Sequence, residues 1–169
     1  MTTAELIGGV LVRDLHGLRR ELEAYDDEAD IWRLTPAIPN SAGTLTLHLA
    51  GNLRHFVGAL LGGTGYLRHR DAEFATRDVP RVELLREIDL ACAEIGAVTA
   101  RLTEPELAQT FPQSVSGHQV STADMLIHLA THLTFHLGQV DYHRRLLGGS
   151  TRSIGAVPPS ELRSATPAA

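Results

Sequence analysis

Apolar residues recur at helical spacing in four separate blocks of this chain, and no block alternates convincingly at the period of two that marks a half-buried strand. The third block is the clearest, because its apolar stripe keeps a 3-4-3-4-3 spacing and stops before Pro105. That stripe consists of Leu85, Ile88, Cys92, Ile95, Thr99 and Leu102. The pattern predicts an all-α fold.

The predicted helices have recognisable starts and stops. Thr2 and Glu5 form a capping-box pattern before the first helix, Pro80 suits the first turn of the third, and Gly148 and Gly149 end the fourth. The helices should cover about residues 3–25, 41–61, 80–104 and 121–147. Four such helices imply a four-helix bundle. The loops between them, roughly 15 to 18 residues long, permit crossover connections and place irregular backbone where a site can open.

The last segment of the chain differs from the rest in composition. Residues 150–169 are rich in Pro, Ser and Ala and have little apolar surface to bury. We therefore expect a bundle domain over residues 1–149, followed by a flexible tail over 150–169.

The overall composition serves mainly to exclude classes of protein. The net charge is −5 and the 15 basic residues form no long run, which disfavours nucleic-acid binding. A single cysteine, Cys92, excludes an internal disulfide framework, and its place on an apolar stripe predicts a small buried side chain rather than a nucleophile. No apolar stretch approaches the roughly 18 residues of a membrane span, and the N-terminus lacks a secretory pattern. We expect a soluble cytoplasmic protein.

Two histidines on the fourth helix carry the clearest chemical signal. His132 and His136 are four residues apart, which places both imidazoles on one helix face about 6 Å apart along the axis. His48 lies in the apolar pattern of the second helix. Together the three could bind one transition-metal ion and leave coordination positions open for chemistry. The alternative is that they are hydrogen-bonded histidines at the edge of the core.

Several polar residues could support these histidines. Asn52, one turn after His48, and Gln139, three residues after His136, are candidates for orienting the ligands or a water molecule. His128 continues the spacing of four, but each step turns by about 40°, so we expect it beside the ligands rather than among them. The other histidines are expected to be surface or structural: His16, His55, His69, His118 and His143. The chain has no His-Glu-x-x-His or Gly-x-Ser-x-Gly motif, which argues against a zincin protease and a serine hydrolase.

Two stretches taken together resemble the DinB-like superfamily, and more narrowly one of its bacterial subfamilies. The first covers residues 40–56, followed by 62–66 and 70–74. The second covers residues 128–139 and is similar to that family's closing His-x-x-x-His-x-Gly-Gln element. With the helix pattern, the resemblance extends over about residues 3–147.

The resemblance implies an up-down-down-up bundle with a divalent metal held by His48, His132 and His136. Characterised relatives are thiol-dependent transferases and isomerases that use mycothiol, bacillithiol or glutathione, and homodimers are common among them. It thus predicts an enzyme in which zinc or nickel activates a thiolate or water against a small-molecule electrophile.

Two other hypotheses use the same three histidines. One is a non-enzymatic, stress-related binding or dimerisation module with a structural metal, whose folding would depend on the ion. The other is a hydrolase using metal-activated water, which would turn over without an added thiol.

Overall fold

The computed structural model describes residues 1–36, 38–155 and 157–168, and its described residues form helices, turns and isolated β-bridges but no β-strand. Within these residues, six α-helices follow one another: α1 (Thr3–Glu23), α2 (Ala42–Leu53), α3 (Arg70–Ala75), α4 (Arg81–Thr99), α5 (Glu104–Ala108) and α6 (Thr122–Gly148). A π-helical segment, Arg54–Ala59, continues α2, and 3₁₀ turns cover Glu28–Trp32 and Pro159–Glu161. None of the described helices has the length and apolar character that a membrane span requires.

The four long helices lie where the periodicity predicts them. The capping box before α1 is present: Thr2 Oγ1 accepts a hydrogen bond from the Glu5 amide at 3.2 Å, and Glu5 accepts one from the Thr2 amide at 2.8 Å. The short helices α3 and α5 lie in segments that the sequence assigns to loops. With six and five residues, they are too short to show a repeating apolar stripe.

The long helices form a bundle in which α1 packs against α4 and α6, and α2 packs against the same two. Gly8, near the start of α1, lies beside Thr99 at the end of α4, so these two helices are antiparallel. Glu21, near the end of α1, pairs with Arg144 near the end of α6, so that pair is parallel. Helices α1 and α2 therefore occupy opposite corners of the bundle.

The direction of α2 follows from its contacts with α4. Arg54 donates a hydrogen bond to Glu87, and Gly58, one turn later, lies beside Glu94. Residue numbers therefore increase in the same direction along both helices, which makes α2 and α4 parallel. The order is thus up-down-down-up, which confirms the predicted all-α, DinB-like bundle.

The core lies along the bundle axis and contains most residues of the predicted stripes. On α4 the buried face is shifted, because Leu84 and Ala91 are buried whereas the predicted Leu85 and Leu102 are partly buried. The leucines of α1 are fully buried against apolar side chains of α4 and α6: Leu11, Leu15, Leu18, Leu22, Ile88, Ile95, Leu129 and Leu133. Cys92 is partly buried and packs against this core. Burial raises the pKa of its thiol to about 11, which keeps the thiol protonated at neutral pH.

The segment after α6 contacts α1 through one buried carboxylate. Glu21, which is fully buried, accepts hydrogen bonds from the backbone amides of Ile154 and Gly155 and pairs with Arg144. Arg144 also donates to the Arg152 carbonyl at 2.9 Å. These contacts hold part of the predicted tail against the bundle. The division into a domain over 1–149 and a tail over 150–169 stays a prediction.

Candidate metal centre

The structure brings together the three histidines that the sequence singles out. His48 lies on α2, and His132 and His136 lie one turn apart on α6, which faces α2 across the bundle. One ring nitrogen from each lies within 4.8 Å of the other two. The Nε2 atom of His132 is 3.4 Å from that of His48 and 3.2 Å from that of His136. His48 is buried, whereas His132 and His136 are half-buried and border solvent.

The other nitrogen of His48 is held by a buried ion pair. Its Nδ1 lies 3.2 Å from Glu73 Oε2, and Glu73 accepts two hydrogen bonds from Arg68, at 2.7 and 2.8 Å. Arg68 Nη2 also lies 3.3 Å from this nitrogen, but it donates to Glu73 at 2.8 Å. Because the carboxylate is an acceptor only, the proton of a neutral His48 belongs on Nδ1. Its Nε2 then presents a lone pair to the other histidines.

Gln139 holds His136 in the same way from the outer side of α6. The Gln139 Oε1 atom accepts a hydrogen bond from His136 Nδ1 at 2.6 Å, which again leaves Nε2 unprotonated. This is the arrangement typical of metal-binding histidines, in which an acceptor on one ring nitrogen fixes the tautomer and aims the other.

The converging nitrogens fit a cation better than they fit one another. His48 and His136 each direct an Nε2 lone pair at His132, and one Nε2–H of His132 can serve only one of them. Nitrogens bound tetrahedrally to a zinc ion at about 2.0–2.1 Å are about 3.4 Å apart, close to the two separations seen here. The residues present therefore fit a divalent ion with three imidazole ligands.

Protonation of His132 and His136 does not compete with such an ion near neutral pH. Burial, followed by the neighbouring His136 and His48, lowers the pKa of His132 to about 4. Burial also lowers the pKa of His136, with Gln139 acting in the opposite direction. Burial alone would raise the pKa of Glu73, but the hydrogen bonds from Arg68 and His48 outweigh it and keep that pKa below its ordinary value. The structure thus favours neutral imidazoles at His132 and His136 and an ionised carboxylate at Glu73.

The other residues predicted near the site occupy different positions. Asn52 is buried on α2, and its Oδ1 has no hydrogen-bond partner among the described residues. The His128 ring is exposed and stacks on that of His132, with ring centroids 6.0 Å apart. Roles for Asn52 and Gln139 in orienting ligands or water stay predictions.

Among the remaining histidines, one is firmly built into the fold. His143 is buried, and its two nitrogens lie 2.6 Å from the Tyr25 hydroxyl and 2.8 Å from the Arg33 carbonyl oxygen. His16, His69 and His118 are exposed and His55 is half-buried, as expected for residues outside the site.

Sequence reasoning missed Glu73 and Arg68. Glu73 lies on the short helix α3, and Arg68 lies in the loop before it, so no spacing on α2 or α6 points to either. The only available signal is that Glu73 belongs to the 70–74 segment of the DinB-like resemblance.

Comparison with known proteins identifies the family of this chain. A family model described as mycothiol S-transferase matches residues 7–149, a segment that contains all three histidines. A search of curated proteins gives no match, and a search of solved structures gives none either. Since the family model covers most of the bundle, the chain belongs to the mycothiol S-transferase family, within the DinB-like superfamily.

Proposed function

We propose that this protein is a metal-dependent thiol S-transferase whose divalent ion is bound by His48, His132 and His136. The observation that carries the proposal is the convergence of their ring nitrogens within 4.8 Å, with Glu73 and Gln139 as acceptors behind two of the rings. Membership of the mycothiol S-transferase family supports thiol transfer as the general reaction.

The reaction joins a thiol to an electrophilic carbon. The S–H bond breaks and its proton passes to water, a sulfur lone pair forms the S–C bond, and the leaving group departs with its bonding electrons. A bound divalent ion supplies Lewis acidity that lowers the pKa of a coordinated thiol, so that thiolate is available near neutral pH.

The chain's own residues prepare the ligands for this task. The Arg68–Glu73 pair fixes the ring of His48, and Gln139 fixes that of His136, so neither imidazole must reorient when the ion binds. Asn52 carries a buried oxygen without a partner on the same helix as His48. We assign it the role of accepting a hydrogen bond from the thiol substrate or from water.

The family and the three histidine ligands narrow the choice of metal ion and of thiol substrate. Three imidazoles suit zinc or nickel, and mycothiol is the first thiol to test because the family is named for it. Bacillithiol and glutathione are the next. A cytoplasmic location and a homodimer stay predictions.

One observation favours the alternative of a binding or dimerisation module. Several large apolar side chains on α6 are exposed: Ile127, Phe135, Tyr142 and Leu146. A contrary observation is that His132 and His136 border solvent, whereas a large core of buried leucines stabilises the bundle beside them.

The test is turnover by metal-loaded protein with each of the three thiols and 1-chloro-2,4-dinitrobenzene, followed as chloride release and thioether formation. His48→Ala and His132→Ala should abolish turnover, whereas His16→Ala, at an exposed histidine on α1, should keep it. Turnover without added thiol would favour the hydrolase. Equal activity in the His132→Ala variant would contradict the proposal.

A further inference from the structure

A cavity of about 390 Å³ begins at Gln139 and extends away from the histidine cluster, between α6 and the segment before α2. We call it the apolar pocket. Its walls are mainly apolar side chains, namely Ile38, Pro39, Leu45, Tyr142 and Leu146. Its volume lies within the range of roughly 300–1,000 Å³ that is usual for small-molecule sites.

The apolar pocket adjoins the candidate metal centre at two points. Gln139, which lines the pocket, accepts the hydrogen bond from His136 Nδ1 at 2.6 Å. Leu45, on the opposite wall, lies one turn before His48 on α2. A molecule in the pocket would therefore lie beside Gln139, which holds His136, and beside Leu45, one turn from His48 on α2.

The residues that line the pocket disfavour a charged ligand. No Asp, Glu, Lys or Arg is among its described lining residues, and the imidazole of His143 is already occupied by the Tyr25 hydroxyl and the Arg33 carbonyl. An ion placed there would lose its hydration and gain at most the neutral amides of Asn40 and Gln139, with no charged partner among the described lining residues. By contrast, the cleft beside Glu73 contains Arg54 and Glu87.

Two wall residues are exposed to an unusual degree for large apolar side chains. Tyr142 is 72% exposed and Leu146 is 62% exposed, and both line this one cavity. A bound hydrocarbon group would cover part of both side chains, and each buried methylene would add to the affinity.

We propose that the apolar pocket binds the uncharged hydrocarbon portion of the electrophilic substrate, alkyl or aryl, while the thiol occupies the metal centre. The proposal rests on the proposed thiol transfer and adds the chemical class of the second substrate. The occupant is a small molecule, because the cavity has a suitable volume and Gln139, in its wall, is hydrogen-bonded to His136.

Binding can be tested without turnover, thiol or added metal. Propylbenzene and 3-phenylpropionate share a carbon skeleton and differ in charge, and their binding is followed by amide chemical shifts of ¹⁵N-labelled protein. Propylbenzene should shift the amides of Tyr142 and Leu146 and bind at least tenfold more tightly than 3-phenylpropionate.

A matched pair of variants localises the effect. Leu146→Asp places a charge in the pocket and should weaken propylbenzene binding at least tenfold, whereas Ile127→Asp, at another exposed apolar residue of α6, should leave it unchanged. With an alkyl electrophile series, kcat/KM should rise roughly threefold to fourfold per methylene in the wild type, and this rise should flatten in Leu146→Asp.

Three outcomes would overturn the inference: equal binding of the two probes, an unchanged affinity in Leu146→Asp, or a chain-length dependence that this variant leaves intact. If Leu146→Asp converts a dimer in solution to a monomer and leaves probe binding unchanged, Tyr142 and Leu146 belong to an interface with a second copy of the chain. Failure of the proposed function would appear separately, as absence of metal in protein that still binds propylbenzene.

Discussion

Replacing Gly51 by alanine should weaken metal binding without touching a proposed ligand. Gly51 lies on α2 one turn after His48, and a Cβ added there would be 2.9 Å from the Glu73 Cδ atom and closer still to its Oε1. The added methyl also lies 3.3 Å from the Tyr66 hydroxyl, which limits the space into which the carboxylate can turn.

The size of the effect follows from how far Glu73 must move. Carbon atoms in ordinary contact are about 3.5 Å or more apart, so the carboxylate must withdraw by at least about 0.6 Å. Its 3.2 Å contact with His48 Nδ1 is already at the long end for a hydrogen bond and should be lost. Loss of such an outer partner typically lowers metal affinity about 10- to 100-fold, or about 1.4 to 2.7 kcal/mol.

The assay is zinc competition with a chromophoric chelator at neutral pH, with circular dichroism to verify folding. Gly96→Ala is the control, since its added Cβ meets no atom within 4 Å and it lies inside α4. It should bind zinc normally and be more stable by about 0.5–1 kcal/mol. Glu73→Gln should lose similar affinity, and the Gly51→Ala/Glu73→Gln double variant should lose no more than either single variant. Wild-type zinc affinity in folded Gly51→Ala protein would refute the role assigned to Glu73.

Three further results are expected. Cys92 should react with iodoacetamide at pH 8 far more slowly in folded than in urea-unfolded protein, because burial raises its pKa to about 11; equal rates by mass spectrometry would contradict its protonated, partly buried state. Metal-free protein should lose stability in urea as pH falls from 7 to 5. The folded pKa of His132, about 4, lies below its unfolded value of about 6.5, so the unfolded state takes up the proton first as the pH falls. The free energy of unfolding of His132→Gln should therefore fall less over this pH range. Glu21→Gln should destabilise the protein in urea by about 3 kcal/mol, because buried Arg144 loses its nearest carboxylate and keeps only Asp141 at 3.7 Å among the described residues. It should also expose residues 150–155 to proteolysis; unchanged stability would show that this pair does not hold the segment.

The parts of the structure that the sequence predicts are those that repeat along one helix. The apolar stripes and the capping pattern at Thr2 place the four long helices, because helical periodicity is a local property of the chain. The spacing of His132 and His136 predicts a shared face for the same reason. His48 joins them because its apolar helical pattern predicts a place beside the inner face of the second helix, and the DinB-like resemblance implies the same three ligands.

The parts that escape prediction depend on contacts between distant segments. Glu73 reaches His48 from a six-residue helix, and 25 positions separate the two in the chain. Glu21 and Arg144 are 123 positions apart, and each alone resembles an ordinary surface charge. Such pairs produce no periodic pattern in the sequence, because the tertiary fold, and not the neighbouring residues, determines which side chains meet.

Elemental analysis of protein purified without an affinity tag tests the central claim most directly. The wild type should contain about one zinc or nickel ion per chain, and His48→Ala and His132→Ala should each lose it while keeping their helical circular dichroism. A wild type that stays metal-free after incubation with zinc and with nickel would contradict the account and leave three hydrogen-bonded histidines at the edge of a helical core.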